Sequence, residues 1–477
     1  MAVRTGTRLW LAGAATAALV LPLGWMWQAS LLPDRYDMAA MGYADWGGGP
    51  AGAHDHHHGT EVADLVADPS LPADVEETFT VATDGDRFTV NGTTPGPVLR
   101  ATEGDLVEVT LVNDDVAEGA TLHWHGIDVP NAADGVAGVT QDAVMPGEEY
   151  VYRFVAEDPG SYWYHSHQVS HEQVQKGLFG AVVIEPRGSG GSDVDEVVLM
   201  HQYGGGGTVN GQPGTTTVVA EPGDAVRLRL VNTDNGLATA WLPGTDFRVL
   251  AVDGRDLNGP TDVTDVGVEV PAGGRVDLGF TVPADGARLD LSGGASVVVG
   301  PGDPDGVRSP GPGEVLDLLD YGEPEAPPFD VSRPDRRFDY VIDRRPGFLD
   351  GVPGLWWTVN GGLYPDVPMF MVTEGDVVVF EIVNDSPDSH PMHLHGHHAL
   401  VLSRDGVAAT GSPWWTDSLE VGVGESYEIA LLADNPGLWM DHCHNLPHAA
   451  EGLVAHLMYD GVTSSFEVGG ERVNRPE

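Results

Sequence analysis

The segment His442-Cys443-His444-Asn445-Leu446-Pro447-His448 holds the only cysteine of the 477-residue chain. Side chains alternate between the two faces of a strand, so His442 and His444 are expected to point away from Cys443. A thiolate and an imidazole five residues apart suit a soft, redox-active metal. This one segment is therefore expected to contact two separate metal sites. A single thiol also excludes an intramolecular disulfide and a four-sulfur zinc site.

Three further motifs contain paired histidines. They are His123-Trp124-His125, His165-Ser166-His167 and His390-Pro391-Met392-His393-Leu394-His395. Because residues i and i+2 of a strand share a face, each His-x-His pair presents two imidazoles side by side. Together with His442 and His444 around Cys443, these pairs supply eight imidazoles. His390, Cys443 and His448 are the residues of the motifs that belong to no such pair. Imidazole plus one thiolate in a trigonal arrangement is a blue-copper electron-transfer site. The pattern predicts one copper at Cys443 and a separate cluster held by histidines alone.

In these motifs the chain resembles the multicopper oxidases. The resemblance implies that His390, Cys443 and His448 bind the type 1 copper, which accepts electrons from substrate. It implies that His123 and His393 bind the type 2 copper. The six ligands that it implies for the type 3 pair are His125, His165, His167, His395, His442 and His444. The implied cofactor is thus copper, with four Cu per chain, and the resemblance covers roughly residues 70 to 465.

The two kinds of site together predict an enzyme. A type 1 site can collect electrons singly, and three further coppers can hold enough of them to reduce dioxygen to water. The expected function is laccase-like oxidation of phenols or aromatic amines, with a small-molecule reductant and dioxygen as partners. One alternative is a metallo-oxidase acting on Cu(I) or a similar ion for metal tolerance. Another is a copper-binding protein without turnover, in which eight cluster imidazoles would have no purpose.

Three stretches of the chain repeat Gly-Asp, alternating apolar residues and then Val-Asn. They are Glu103 to Asn113, Pro222 to Asn232 and Glu374 to Asn384. Each looks like the same strand after the same turn. Only the first and third units carry histidine pairs, so the middle unit, through residues 271–275, is expected to be a spacer. The repeats predict an all-β chain of three cupredoxin-like Greek-key β-sandwich domains, with the cluster between the first and third.

These patterns also divide the chain into segments. The expected division is 1–34 as a signal peptide or membrane anchor, 35–69 as a disordered Met/His-containing tether, 70–187 as domain 1, 188–300 as domain 2, 301–337 as a linker and 338–467 as domain 3. The linker is rich in Pro, Gly and acidic residues. It is expected to cross the surface rather than contribute to a core.

The N-terminus predicts export. Arg4 and Arg8 precede a mostly apolar run from Leu9 to Leu32, which fits either a secretory signal or an uncleaved anchor. The expected location is extracellular, or on the outer face of the cytoplasmic membrane through a tether at residues 9–32. The following stretch, Met38 to Gly59, carries His54, His56, His57 and His58. It is interpreted as a disordered tether, with a copper-collecting arm as the alternative.

The chain is strongly acidic, with a formal net charge of -49 and Lys176 as its only lysine. Such a chain lacks the basic surface that nucleic acids require, so nucleic acid is excluded as a partner. The charge fits a well-solvated surface. It could also attract cationic substrates, and the sequence leaves this choice and the oligomeric state open.

Two further residues near the motifs have expected roles. Asp134 stands at the offset after His123 and His125 where the resemblance implies a carboxylate that supplies protons for oxygen reduction. The alternative is an ordinary Asp-Gly turn. Leu453 occupies the position of the axial type 1 residue and cannot coordinate, so a high reduction potential is expected. The resemblance implies a second proton-supplying glutamate directly after the last type 1 histidine in some bacterial relatives, but this chain has Ala449 there and Glu451 two residues further on.

Overall fold

The computed structural model of the chain describes residues 5–51, 59–188, 191–303, 306 and 308–477. The chain begins with a long helix and three short strands. These are α1 Thr5–Ala29, β1 Arg35–Tyr36, β2 Tyr43–Asp45 and β3 Thr60–Glu61. Within α1, the 20-residue stretch Trp10–Ala29 is long and apolar enough to cross a membrane. The most hydrophobic part of this stretch is not buried against the rest of the fold.

The first β-sandwich consists of two four-stranded sheets, ordered β5-β4-β7-β9 and β6-β11-β10-β8. Its elements are β4 Val75–Asp84, β5 Arg87–Val90, β6 Leu99–Thr102, β7 Leu106–Asn113, β8 His123–His125, β9 Glu149–Val155, β10 Gly160–His165, α2 Ser170–Gln173 and β11 Phe179–Glu185. In β7 the side chains of Val107, Val109 and Leu111 are fully buried. The residues between them are only half-buried, as the alternating sequence predicts.

The second sandwich consists of a seven-stranded sheet, β14-β13-β12-β16-β21-β18-β19, and a five-stranded sheet, β15-β23-β22-β17-β20. Its strands are β12 Val194–Tyr203, β13 Gly206–Val209, β14 Gln212–Pro213, β15 Thr215–Val218, β16 Ala225–Asn232, β17 Ala238–Trp241, β18 Arg248–Val252, β19 Arg255–Asp256, β20 Gly267–Val270, β21 Arg275–Thr281, β22 Ala287–Leu291 and β23 Ser296–Val299. In the sequence, this sandwich lies between the two that carry the histidine motifs.

The third sandwich is the largest. Its elements are β24 Arg336–Leu349, β25 Val352–Val359, β26 Gly362–Leu363, β27 Pro368–Val372, β28 Val377–Asn384, β29 His390–Leu394, β30 Ala399–Arg404, β31 Val407–Ala408, β32 Trp415–Thr416, β33 Ser418–Val421, β34 Ser426–Leu432, β35 Leu438–Cys443, α3 Leu446–Ala450, β36 Val454–Tyr459, β37 Val462–Thr463 and β38 Val468–Gly469. Its sheets are ordered β2-β27-β36-β35-β29-β33 and β26-β25-β24-β28-β34-β30-β31. The chain is therefore all-β, with three cupredoxin-type sandwiches.

The three repeated stretches form equivalent strands. Strands β7, β16 and β28 each pair in parallel with the first long strand of their own sandwich, namely β4, β12 and β24. Each repeat ends in a fully buried asparagine, which is Asn113, Asn232 or Asn384. The side-chain amide of each donates to two or more carbonyl oxygens of nearby loops and strand ends. The polar end of the repeat is thus a buried hydrogen-bonding group that fixes the loops beside it.

The expectation of a disordered tether over residues 35–69 is wrong for its described parts. Strand β1 pairs with β38, β2 with β27 and β3 with β37. Met38 is buried, and the hydroxyl of Tyr364 lies 3.4 Å from its Sδ. Edge strands of the third sandwich offer free backbone groups, and these short segments satisfy them without any sequence periodicity. The histidines at 54 and 56–58 lie outside the described residues.

Two other segment boundaries also differ from the expectation. Within the expected surface linker, Leu319 and Tyr321 are buried. The Tyr321 hydroxyl donates to the Thr261 carbonyl oxygen at 2.7 Å, so the linker contributes to the core. Beyond residue 467, where the third domain was expected to end, Val169 N–H donates to the Arg475 carbonyl oxygen at 2.7 Å. The last residues therefore cross back onto the first sandwich.

Candidate metal centres

A thiol and two imidazoles converge at one end of the third sandwich. His390 begins β29, Cys443 ends β35 and His448 lies on α3. The Sγ atom of Cys443 lies 3.6 Å from His390 Nδ1 and 3.8 Å from His448 Nδ1. The two Nδ1 atoms are 3.2 Å apart. The structure thus brings together the three donors singled out by the sequence, close enough to share one metal ion.

Burial sets the chemistry of this group. It raises the pKa of the Cys443 thiol well above its usual value and lowers the pKa of His390 to about 3. The Nε2 atom of His390 lies 2.8 Å from Ser386 Oγ, which leaves Nδ1 free for the site. Imidazole binds metals in its neutral form, and a bound cation favours the thiolate over the thiol. The three donors therefore fit a copper ion.

One side of this group is accessible from outside. His390 and Cys443 are buried, whereas His448 is half-buried. The Trp357 ring packs against both imidazoles, with centroid distances of 4.7 Å to His390 and 4.5 Å to His448. Its Nε1 donates to Glu451 Oε2 at 3.0 Å, so Glu451 lies beside this group. A reductant can approach at His448.

Eight buried imidazoles form a histidine cluster between the first and third sandwiches. They belong to His123, His125, His165, His167, His393, His395, His442 and His444, each at most 1 % exposed. His165 lies opposite His123 in the pairing of β10 with β8, and His393 lies opposite His442 in the pairing of β29 with β35. Across the junction, Nε2 of His393 is 3.4 Å from Nε2 of His123. Nε2 of His442 is 3.2 Å from Nε2 of His395.

The donor nitrogens of the histidine cluster fit metal ions. Burial lowers the pKa of His125, His165 and His444 well below the usual range, so all three are neutral. His125 Nδ1, His165 Nε2 and both ring nitrogens of His444 are buried without a hydrogen-bond partner among the described residues. Buried polar atoms are nearly always partnered, so these nitrogens call for a ligand. Neutral imidazoles are ligands that copper accepts.

Asp134 joins the two halves of the histidine cluster. Its carbonyl oxygen lies 2.8 Å from His123 Nδ1, and both of its carboxylate oxygens lie 3.1 Å from His395 Nδ1. The side chain is 1 % exposed. A carboxylate or carbonyl at the outer ring nitrogen orients the imidazole and directs its other nitrogen to the metal. Asp134 is therefore more than a turn residue, while its part in proton supply stays a prediction.

Sequence reasoning missed Asp417. Its carbonyl oxygen lies 2.8 Å from His393 Nδ1, and its Oδ1 lies 3.1 Å from His125 Nε2. Its two carboxylate oxygens each accept from Arg275, at 2.6 Å and 2.6 Å. Burial alone would raise the pKa of Asp417, but the Arg275 guanidinium lowers it well below its usual range. In the sequence, Asp417 directly precedes Ser418, the first residue of β33. No motif at this position indicates a contact with the histidine cluster.

Arg275 also corrects the interpretation of the middle unit as a spacer. Its guanidinium is fully buried under the histidine cluster although its strand belongs to the second sandwich. Gly273 lies equally close, because a Cβ there would come within 2.8 Å of His125 Cε1 and 3.0 Å of His444 Cδ2. The Gly273 carbonyl oxygen accepts from Trp163 Nε1 at 3.1 Å. The second sandwich therefore supplies part of the wall around the histidine cluster.

The last two residues, Pro476 and Glu477, were missed as well. The carbonyl oxygen of Pro476 lies 3.0 Å from His167 Nδ1. Glu477 Oε1 lies 3.2 Å from His442 Nδ1, as does the carbonyl oxygen of Cys443. Burial raises the pKa of Glu477 to about 8. Glu477 is far along the chain from every histidine motif. No feature of the sequence around it indicates a position beside the histidine cluster.

Comparisons with known proteins agree with this geometry. Two family models, each described as multicopper oxidase, match residues 75–189 and 341–461. Multicopper oxidase MmcO of Mycobacterium tuberculosis is 28% identical over 440 residues, which cover 78% of this chain and 83% of that protein. Laccase-1 of Botryotinia fuckeliana is 28% identical over 446 residues, covering 77% of each chain. Further relatives are named as laccases and as iron multicopper oxidases.

Among solved structures, a multi-copper oxidase from Pseudomonas thermotolerans is similar to this chain. It is 29% identical, with a TM-score of 0.65, and the match covers 80% of this chain and 98% of that one. The two matched ranges of the family models contain the histidine motifs of the first and third sandwiches, including Cys443. The likeness therefore extends to the parts of the chain that carry the candidate metal centres.

Proposed function

Because the chain belongs to the multicopper oxidase family, whose members are copper oxidoreductases that use oxygen, we propose that it oxidises phenols or aromatic amines. Each of four substrate molecules gives up one electron and one proton. One dioxygen takes up four of each and yields two waters. The proposed type 1 ligands are His390, Cys443 and His448, the type 2 ligands His123 and His393, and the type 3 ligands His125, His165, His167, His395, His442 and His444.

The observation that carries this proposal is the position of Cys443 between His442 and His444. The Cys443 thiol faces His390, whereas the flanking imidazoles belong to the histidine cluster. Three consecutive residues thus join the two donor groups through covalent bonds. Copper supplies one-electron chemistry at the first group and dioxygen reduction at the second when bound. The protein keeps bulky substrates away from the histidine cluster by burying every one of its imidazoles.

Asp134 is the residue to which we assign the supply of protons to the histidine cluster. Dioxygen reduction consumes protons inside a site from which bulk solvent is excluded, so a positioned acid is needed. The Asp134 carboxylate lies against His395 and is buried with it. We assign it the role of proton donor.

The alternative, oxidation of a metal ion such as Cu(I), has less support. Such an enzyme needs thioethers or free carboxylates near the type 1 site. The candidate methionines are Met369, Met371, Met392 and Met440, and all four are buried. The carboxylates beside His448 belong to Asp388 and Glu451, which lie 3.7 Å and 3.9 Å from the guanidinium of Arg344. Arg344 thus pairs with both carboxylates and offsets one of their two negative charges.

We also propose that the body is exported and that α1 holds it on the outer face of the cytoplasmic membrane. The support is the apolar run Trp10–Ala29, whose most hydrophobic stretch is not buried against the rest of the fold. A helix of that length matches the hydrocarbon thickness of a bilayer.

Oxygen-uptake kinetics test the function directly. Copper-loaded protein is given a phenol, an aromatic amine and Cu(I) in parallel, and peroxide is assayed together with oxygen. We expect uptake with the organic donors, one dioxygen per four electrons, and no free peroxide. Uptake with Cu(I) alone would replace the proposal by a metallo-oxidase. No uptake with any donor would leave a copper-binding protein without turnover.

A further inference from the structure

The candidate membrane span joins the body without a loose linker. Helix α1 ends at Ala29, and the next residue, Ser30, accepts from Gly351 N–H through its Oγ at 3.1 Å. The Leu32 N–H donates to Asp350 Oδ1, also at 3.1 Å. Asp350 and Gly351 form the turn between β24 and β25. The tip of this hairpin is therefore held at the end of the span, where a bilayer surface would lie.

The hairpin tip itself exposes apolar side chains. Val352 and Leu355 are each 54% exposed on β25. At the end of the span, Trp27 is 46% and Leu31 43% exposed. Val352 and Leu355 are three residues apart and so lie on opposite faces of β25, which leaves both faces of the hairpin end with an exposed apolar side chain. Such exposure on a protein with a net charge of -49 favours contact with an apolar partner. Tryptophan at the end of a span is typical of the membrane interface.

A cavity lies between this N-terminal segment and the helix that carries His448. Its volume is about 270 Å³, and its lining includes Leu32, Tyr36, Leu349, Tyr364, Ala449 and Ala450. The hydroxyls of Tyr36 and Tyr364 are 2.9 Å apart, and Asp350, Arg475 and Glu477 also line the cavity, so it combines apolar walls with polar hydrogen-bonding groups. Its size is just below the ~300–1,000 Å³ of common small-molecule sites, which suits one substituted ring. Ala449 directly follows the proposed type 1 ligand His448.

The same hairpin extends from the tip to the proposed type 1 site. Leu349 lies opposite Val352 at the tip, and Arg344 lies opposite Trp357 further along. Strands rise ~3.3 Å per residue, so the five residues from Val352 to Trp357 span about 17 Å. Trp357 packs on both histidines of that site. A molecule at the bilayer surface would therefore be a short distance from the electron-accepting group.

We propose that the hairpin tip rests in the bilayer surface and that the cavity receives a hydroquinone dissolved in the lipid. This inference rests on the proposed function, since it narrows the phenol class to apolar hydroquinones. Each hydroquinone loses two electrons and two protons in successive steps and becomes a quinone. Two hydroquinones thus reduce one dioxygen to two waters.

Paired donors and paired variants test this inference on the full chain in phosphatidylcholine vesicles. The donors are unsubstituted hydroquinone, which dissolves in water, and a decyl-substituted hydroquinone, which partitions into lipid. The variant Val352→Asp/Leu355→Asp places charges on the hairpin tip. Its matched control, Val407→Asp/Val423→Asp, alters valines that are 63% and 60% exposed elsewhere on the third sandwich. Charges on a lipid-facing surface disfavour immersion.

We expect the tip variant to oxidise the decyl donor roughly tenfold more slowly than the control does, because two charges oppose docking. Both variants should oxidise unsubstituted hydroquinone at the rate of the unaltered protein. Equal rates of the two variants with the decyl donor would overturn the inference and leave the proposed function intact. If neither donor is oxidised by the unaltered protein, the proposed function fails as well.

Depth measurement provides a readout that does not depend on turnover. The chain's single cysteine is buried, so Leu355→Cys supplies one accessible thiol for a nitroxide label, and Val407→Cys supplies the control. In vesicles, the label at 355 should be shielded from a water-soluble nickel chelate and accessible to oxygen. The label at 407 should collide freely with the chelate. Equal exposure of both labels, or a mature N-terminus beyond Ala29 in protein from its native membrane, would overturn the inference.

Discussion

Asp417 and Arg275 form a two-pronged ion pair in which both side chains are fully buried, with both N–O distances at 2.6 Å. The arginine comes from the second sandwich and the aspartate from the third. The same carboxylate reaches His125, which belongs to the first. One side chain therefore connects all three sandwiches at the histidine cluster. Paired charges of this kind are costly to separate, because the remaining partner stays buried without compensation.

We predict that Asp417→Asn destabilises the copper-free protein by about 3 kcal/mol, since it removes the nearer of the two buried carboxylates that pair with Arg275 and leaves only Asp253, at 3.4 Å. The measurement is the free energy of unfolding in urea. The matched control is Asp262→Asn, which breaks the solvent-exposed pair with Arg248 and should change the free energy of unfolding far less. Equal losses in the two variants would show that the buried pair has no special weight.

A second prediction concerns Glu477, whose Oε1 lies 3.2 Å from His442 Nδ1. Removal of a carboxylate behind a metal-binding histidine typically lowers metal affinity or activity by roughly 10–100-fold. We expect Glu477→Ala to lower copper binding in the histidine cluster while the blue band of the type 1 copper remains. Glu477→Gln keeps an oxygen in place and should recover part of the loss.

Copper content, the blue absorption and turnover are measured together on these proteins. Glu471→Gln, on the exposed part of the same segment, is the control. If Glu477→Ala binds as much copper as the control does, the carboxylate contributes to packing alone.

The sequence motifs singled out residues that the structure brings together, because each of these residues belongs to a local motif. Only His123 and His125 lie within one strand, and the other three His-x-His pairs extend past a strand end, but in every pair the two ring centroids are 4.8–5.8 Å apart. The three repeats predicted the sandwiches for the same reason, since each is a strand after a turn. Such signals depend only on short-range backbone geometry.

The residues that support the donors could not be predicted in this way. Arg275, Asp417 and Glu477 reach the histidine cluster through contacts between sandwiches, and nothing near them in the sequence requires a partner. The N-terminal strands β1 to β3 were missed for a similar reason. They are two or three residues long, and the edges on which they pair determine their conformation.

Cys443→Ser should abolish the blue absorption and turnover together, while the histidine cluster still binds copper. The thiolate is the only sulfur ligand of the proposed type 1 site, and it is also the covalent link to His442 and His444. Copper content and absorption spectra of the purified variant provide the measurement. A variant that stayed blue would show that the type 1 assignment is wrong.

Asp134→Asn should slow the oxygen reaction and spare the anaerobic reduction of the type 1 copper by substrate. The buried carboxylate lies against His395 in the histidine cluster, whereas the proposed site of substrate oxidation is at His448. General acid catalysis typically contributes 10²–10⁴-fold, so a loss of roughly tenfold or more is expected when oxygen reduction limits turnover. Stopped-flow traces without oxygen, compared with steady-state turnover, separate the two steps. Unchanged turnover would assign Asp134 a purely structural role.

Leu453→Met tests the type 1 site from its axial side. The Leu453 side chain is fully buried, and its carbonyl oxygen accepts from the Cys443 N–H at 3.2 Å. A thioether there donates weakly to copper and stabilises the oxidised state, so the reduction potential should fall. Poorly reducing phenols should then be oxidised more slowly, and readily oxidised ones little changed. The swap costs roughly 1.5 kcal/mol or less, so the fold should survive.

Leu438→Met, an equally buried swap on β35, should leave the potential unchanged. Redox titration of the blue band compares the three proteins, and a potential that is unchanged or raised in Leu453→Met would show that this side chain does not face the copper.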